Sequence, residues 1–448
     1  HFEGTIDFNG YAVLRDTAYP SRIIEYIGES AIIKNIEFKV YFNNTIETSL
    51  AGGLFNENYG RIENIIVSLE ECSKQKNKSI ELLGRLNYGE INNFIIKYKT
   101  PLYIMAGGRG LLYQNYGTVK NGYVYGEGIE QIAARGDKDV ISSTNICSEN
   151  RKNGLIENIY ILSKIKIIPD STDQKDIGNV VGSNLENAII KNVYSVDIDE
   201  SITNLNAGPN IYNNSNRKTE NIYYFDERTF NNQYELKSTK LALKDVNFQN
   251  QILNSDNAFN VEEMVSDGYY PQLNMPDCMP TQEYIKLPEV EDADLPDILS
   301  TEVLEQGSNS VKVKFIINNP SAETITNIKI ENLDCTIESQ EYSDGKSEVI
   351  ALLNNPIICV SSYSALSITT KGAFNQEYTR EYEKNERIIQ VELFKEIRTV
   401  DDWIEIGKFP TENYMLMNDI DFMNQSDNVK INAAFEGVLE GNNHIIKN

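Results

Sequence analysis

Two histidines, His1 and His444, and five cysteines, Cys72, Cys147, Cys278, Cys335 and Cys359, are all the chain offers of the side chains that most often act as general base, thiol nucleophile or soft-metal ligand. A zinc protease of the HExxH type needs two histidines one helical turn apart, and a hydrolase triad needs one beside its serine or cysteine. His1 is the first residue and His444 stands in a GNNH turn, so neither constellation can be assembled. The cysteines are odd in number and contain no CxxC pair, which removes zinc ribbons and dithiol redox centres. Cys335 and Cys359 fall in one short β-rich stretch and are a candidate disulfide for an oxidising compartment.

Carboxylates are plentiful, with 66 Asp and Glu against 41 Lys and Arg and a formal charge of -25. Such a surface repels nucleic acid and anionic membranes. A glycan-cleaving enzyme needs only two acids about 5 to 9 Å apart, and Asp197, Asp199 and Glu200 in SVDIDES, or Asp170 and Asp173, offer them. In so acidic a chain these pairs arise freely, and solvated surface is the favoured reading. Glu289, Glu291, Asp292, Asp294 and Asp297 crowd one Pro-rich stretch. Glu291, Asp292 and Asp294 are the candidate calcium ligands there, with a solvated acidic linker favoured over them; no other cofactor is expected. The 26 tyrosines, several in YVYGEG, NIYYFDE and DGYYP, offer a sugar-stacking platform, though Tyr also suits a half-buried strand and that reading is preferred. The RGD at Arg135 to Asp137 is short enough to arise by chance.

The elements that would position these groups are set by a repeat. NYGRIEN from Asn58 returns as NYGEINN from Asn87 and NYGTVKN from Asn115. An Asn two places after Ile, Val or Thr recurs more widely, at Asn35, Asn64, Asn93, Asn121, Asn158, Asn192 and Asn221, in steps of 29, 29, 28, 37, 34 and 29 residues. The segments after each Asn, such as NIIVSLEE and NIYILSKI, are β-branched and aromatic and read as strands. About 28 residues suit one coil of a parallel β-helix with three short strands, each coil pairing with the next at roughly 4.8 Å. The Asn series is then expected to stack as a hydrogen-bonded ladder, with Gly60, Gly89 and Gly117 permitting the tight corners.

GGLFNENYGRIEN (Gly52 to Asn64), LLGRLNYGEINN, GLLYQNYGTVKN and VVGSNLENAIIKN resemble GLUG-motif repeats, whose ideal form is GGLVGxNxGxIxN. The resemblance covers residues 1 to about 275 and resumes from about 397. Asn56 stands where the ideal motif has its second Gly, and the coils at Asn35, Asn158 and Asn221 keep little beyond the final Asn. Such repeats occur in large exported proteins of Gram-positive bacteria, including immunoglobulin A-cleaving metalloproteases and surface adhesins. The resemblance implies an extracellular, surface-bound or secreted protein. The catalytic part of those proteases is not implied, since HExxH is missing.

The expected organisation is all-β. Residues 1–275 form the β-helix, 276–299 a Pro-rich acidic linker, 300–396 an immunoglobulin-like β-sandwich built on runs such as SVKVKFIIN and SALSITTKG, and 397–448 a helical cap with the first coil of a following β-helix. Thr399 and Asp402 have the spacing of a capping box. FEGVLEGNNHII from Phe435 matches FEGTIDFNGYAV from Phe2 at an offset of 433. With no initiating Met, the chain reads as one period of a longer tandem array. The resulting expectation is a non-catalytic repeat unit of a bacterial surface or secreted fibre or adhesin. Its partners would be adjacent repeat units end to end, and a host glycan or surface protein, without nucleic acid or membrane insertion. A glycan- or host-protein-binding module is the alternative, with a β-helix polysaccharide-cleaving enzyme ranked below it. The Asn, Ile and Lys bias suggests an AT-rich genome.

Overall fold

The computed structural model describes residues 1–16, 22–42, 53–73, 80–104, 107–132, 141–168, 175–196, 209–214, 218–226, 230, 234–253, 256–306, 310–354, 356, 362–372, 377–391, 394–423, 430–431 and 433–447. The chain divides into two compact units, His1–Pro288 and Glu289–Asn448.

The first unit is a parallel β-helix. Its largest sheet stacks Thr5–Asp7, Ile32–Phe42, Arg61–Cys72, Glu90–Tyr98, Thr118–Ile132, Leu155–Ile168, Ile189–Val196, Thr219–Phe225 and Leu236–Lys237, each one coil beyond the last. A second sheet stacks Ile24–Ile27, Phe55–Asn58, Gly84–Asn87, Leu112–Asn115, Cys147–Asn150, Val181–Asn184 and Ile211–Asn214. A third carries Ile80–Glu81, Gly107–Arg109, Ile141–Thr144 and Lys175–Ile177. The side-chain period of two turns alternate residues of every strand inward. Ile36, Ile65, Phe94, Gly122, Ile159, Val193 and Ile222 therefore lie in one column, and the six that carry side chains are no more than 1% exposed. Each buried isoleucine of this kind is worth roughly 2 to 3 kcal/mol of transfer free energy. Gly122 makes room for its neighbour: a Cβ there would stand 2.2 Å from the Phe94 ring.

The outer face of the large sheet is covered. Helices α1 (Lys240–Leu243), α2 (Val246–Leu253) and α3 (Glu262–Ser266), with the extended segment that follows them to Pro288, form a strap against it. Residues 276–288, read from sequence as the start of a linker, belong to this strap. Met279 and Leu287 are buried, the Gln282 side chain exchanges hydrogen bonds with the Leu273 backbone, and the Cys278 carbonyl lies against Gly10. The segment's apolar residues have a sheet to cover.

In the second unit, Asp297–Gln306, Ser310–Asn318, Lys346–Asn354 and Thr336–Ser343 form one antiparallel sheet. Leu333–Asp334, Thr324–Ile330, Ser362–Lys371, Glu377–Glu381 and Arg387–Gln390 form the other. Val313, Phe315, Ile328, Ile368 and Ile389 fill the sandwich between them, each 0% exposed. Its first strand starts at Asp297, three residues before the expected boundary, because Arg387 grips the Asp297 carboxylate at 3.0 and 3.1 Å and fixes the strand there. Beyond the sandwich the strands turn parallel again: Phe394–Ile397 pairs with Asn413–Leu416, which pairs with Leu439–Glu440. Between the first two, helix α4 (Val400–Glu405) opens with the capping box. Thr399 Oγ1 accepts the Asp402 N–H at 3.2 Å, and the Asp402 carboxylate accepts the Thr399 N–H at 2.8 Å. Val400 and Trp403 pack on a core of Ile397, Ile406, Tyr414, Leu416, Ile420 and Phe422, whereas Ile404 is 39% exposed. No helix among the described residues is long and apolar enough to cross a membrane.

Candidate functional site

The asparagine series predicted to form a ladder occupies one corner of successive coils. Asn35, Asn64, Asn93, Asn121, Asn158, Asn192 and Asn221 all adopt left-handed backbone, with φ between 53° and 58°. Asn tolerates this conformation better than other residues with a Cβ, so it turns the chain between two strand segments. Asn64 donates from Nδ2 to Asn35 Oδ1 at 2.8 Å, Asn93 to Asn64 at 2.7 Å, Asn158 to Asn121 at 2.9 Å, Asn192 to Asn158 and Asn221 to Asn192 at 3.0 Å. One rung is displaced, since Asn121 donates to Asn92 and not to Asn93. Asn93 Oδ1 is buried without a partner, and its amide turns to the carbonyl of Asn274 in the strap. Asp7 starts the series, accepting from Asn35 at 2.9 Å; that bond, first among its causes, holds the Asp7 carboxyl below its usual range.

A second ladder is more deeply buried and was not assigned from sequence. Asn58, Asn87, Asn115, Asn150 and Asn184 are 0% exposed. Asn58 donates to Asn87 at 2.7 Å, Asn87 to Asn115 at 2.8 Å, Asn115 to Asn150 at 2.9 Å, Asn150 to Asn184 at 3.0 Å and Asn184 to Asn214 at 3.2 Å. Its amides donate toward the later coil, those of the first ladder toward the earlier one. The recurring NYG tripeptide was its signal, because the Asn of NYG is the rung.

Gly60, Gly89 and Gly117 follow those rungs and have φ outside the left-handed region, so conformational freedom is not why they are glycine. A Cβ on Gly89 would sit 2.0 Å from the Gly60 carbonyl oxygen, and one on Gly117 2.1 Å from that of Gly89. Close approach of one coil to the next requires them.

The tyrosine between rung and glycine makes a third column, facing solvent. Tyr59 and Tyr88 stack at 4.8 Å with planes 6° apart, and Tyr88 and Tyr116 at 4.9 Å and 17°. Tyr59 donates to Glu57 at 2.7 Å, which pushes its phenol up to about 12. Ring faces are spent on one another, so the column shows solvent a row of edges and not a flat platform for sugars. Of the tyrosines proposed from sequence as a platform, Tyr123 and Tyr223 stand with Tyr160 and Tyr194 in one row on the outer face of the large sheet, at most 4% exposed, under Phe248 and Tyr270. Burial pushes the Tyr123, Tyr160 and Tyr194 phenols well above their usual range.

Asp170, Asp173, Asp197, Asp199 and Glu200, the RGD, and Cys359 lie outside the described residues. Cys335 is a buried free cysteine whose thiol burial pushes up to about 12. Of the calcium candidates, Asp294 accepts the Glu291 N–H at 2.9 Å across a 3-10 turn at Asp292–Asp294, and neighbouring Asp297 is taken by Arg387. No group of three or more His, Cys, Asp or Glu among the described residues is arranged to hold a metal ion. His444 is a turn residue, 3.4 Å from Asp419.

Glu235, 3% exposed at the last coil, is one of the buried carboxylates, with Glu81 and Glu323. It accepts the N–H of Asn210 at 2.8 Å and of Ile211 at 3.0 Å. In earlier coils carbonyls of the next coil take these places, as Asn145 O does for Leu111 and Asn210 O for Val180. Burial pushes the Glu235 carboxyl up to about 7. Nearby, Tyr270, Leu162, Val196, Phe225 and Lys286 border an apolar cavity of about 220 Å³ under the strap. Comparison of the chain with family models, characterised proteins and solved structures returned no match.

Proposed function

We propose that the chain is a non-catalytic repeat unit of a large bacterial surface or secreted fibre of the GLUG-repeat type, serving attachment by giving reach and repeated weak contacts. The observation that supports this most is the pair of asparagine ladders. They invest the buried polar groups of coil after coil in holding the stack together, in place of converging them on a substrate. A rod of such units presents its surface many times, and contacts of about 2 to 3 kcal/mol each suffice when they add through effective concentration. An extracellular location, a Gram-positive source and end-to-end neighbours of the same kind belong to this reading. Negative-stain microscopy of the native polypeptide from its source tests it: long, regularly beaded filaments are expected, and short separate rods would overturn it. Binding of a host protein is a second reading, favoured by the solvent-facing edge of Tyr59, Tyr88 and Tyr116. Loss of cell binding on replacing all three with Ala would select it.

A further inference from the structure

Residues 435–447 repeat residues 2–14 in backbone conformation as well as in sequence. Asn9 donates its N–H to the Asp7 carboxylate at 2.9 Å, and Asn442 donates to that of Glu440 at 3.1 Å. The Tyr11 N–H meets the Phe8 carbonyl at 2.9 Å, and the His444 N–H meets that of Gly441 at 2.8 Å. The φ angles are 47° at Asn9 and 46° at Asn442, then 80° at Gly10 and 58° at Asn443. All four pairs are related by the offset of 433.

The two settings differ in which backbone edge is occupied. N–H and C=O groups of successive residues in a strand point to opposite edges. In the first setting the Gly4 carbonyl, the Phe8 N–H and the Tyr11 carbonyl bond to the coil that follows, at Ile32, Lys34 and Glu37. In the second, Val438, Ile445 and Lys447 offer their carbonyls to the coil that precedes, at Tyr414, Ile420 and Phe422. Their counterparts are Thr5, Ala12 and Leu14, whose edge pairs with no strand among the described residues. One coil is seen twice, once with its following neighbour and once with its preceding one, and the two sets of bonds do not compete. Charge is kept as well. Asp7 takes Lys34 at 3.3 Å and Asn35 at 2.9 Å, and Glu440 brings a carboxylate to the equivalent place.

Building on the fibre reading, we infer that Phe394–Ile397, Asn413–Leu416 and Ile420–Asp421, with α4 between the first two, are the lid of a coil stack of the 2–288 type. A second copy of this lid fits the free edge of Thr5–Asp7 and Ala12–Asp16, placing Ile6 opposite Tyr414, Asp7 opposite Met415, Val13 opposite Ile420 and Leu14 opposite Asp421. The pairings Leu439 with Tyr414, Glu440 with Met415, Ile446 with Ile420 and Lys447 with Asp421 set that register. Docking replaces solvent on the edge amides of Asp7 and Leu14 with the carbonyls of Tyr414 and Ile420.

The test uses the full chain with a second copy of residues 394–434 placed directly before Phe2, compared with the chain as it stands. Hydrogen exchange read on peptides covering residues 2–16 should slow at least about tenfold at Asp7 and Leu14. Introducing Leu416→Asp in the added copy, which spoils the lid's own core, should abolish the gain. Unchanged exchange, or protection that survives Leu416→Asp, overturns the inference. The outcome separates from that of the fibre reading. Filaments seen by microscopy with Asp7 and Leu14 unprotected would sink the lid and spare the array, and protection without filaments would do the reverse.

Discussion

Asparagine is the residue on which the coil stack depends, and its two uses differ in what a substitution costs. Asn87→Ala removes the acceptor of Asn58 and the donor to Asn115 in a site 0% exposed, leaving two buried polar groups unmet. Such orphans cost about 1 to 3 kcal/mol each, so urea melts should show the first unit losing about 2 to 5 kcal/mol. Asn93→Gly should cost less, since the acceptors it deserts, Asn64 Oδ1 and the Asn274 carbonyl, are part-buried and exposed, and glycine accepts a φ of 58°. The left-handed Asn series was legible because its spacing survives sequence drift. The second ladder was in plain view within NYG but indistinguishable from a turn, because period alone does not say which Asn points inward. Glu235 was not legible at all, being one of 66 acids until the fold gives it Asn210 and Ile211 to cap. Its folded carboxyl titrates near 7, above the 4.5 of an unperturbed one. Below about 4.5 both states hold the proton, and its full contribution to stability is present. As pH rises from there to about 7 only the folded state holds the proton, so stability falls, by at most about 3 kcal/mol, and then levels. Melts at pH 4.5 and 7.5 should show this decline, and Glu235→Gln should flatten it while forfeiting one acceptor.

The strap from α1 to Pro288 is the element that sequence reading missed, and the strands beneath it held a clue. IEFKVYF from Ile36 alternates apolar and polar residues, as a strand with one wet face does, whereas IYIL from Ile159 is apolar on both sides. Continuous apolar strands signal cover on both faces. Helices of 4, 8 and 5 residues have too few turns to show a period of their own, so the covering pieces stayed hidden. Phe248, 0% exposed, holds the strap by its edge-on contacts with Tyr194 and Tyr223 at 6.1 and 5.6 Å. Phe248→Ala should cost about 3 to 5 kcal/mol. Limited proteolysis should then cut first within residues 240–288 while the coils remain intact; simultaneous digestion of the coils would mean that strap and stack are one cooperative block.

For the molecule as a whole, the parallel β-helix, the sandwich and the return to parallel coils followed from periodicities of about 28 and 2, the most durable signals a sequence carries. The coil-to-coil hydrogen bonds, and the rungs of both asparagine ladders, lie along the stacking direction. Tension on the chain ends of the first unit therefore meets these bonds head-on, a few at a time, and not side by side in shear. Coils should peel away singly, each freeing a stretch of 28 to 37 residues that extends to roughly 100 to 130 Å. Single-molecule pulling should record a train of small, similar releases; one large release of the entire unit would contradict it. A stack built this way is a mechanical fuse with many links: under a pull it would lengthen by sacrificing a coil at a time and could rewind when the force passes.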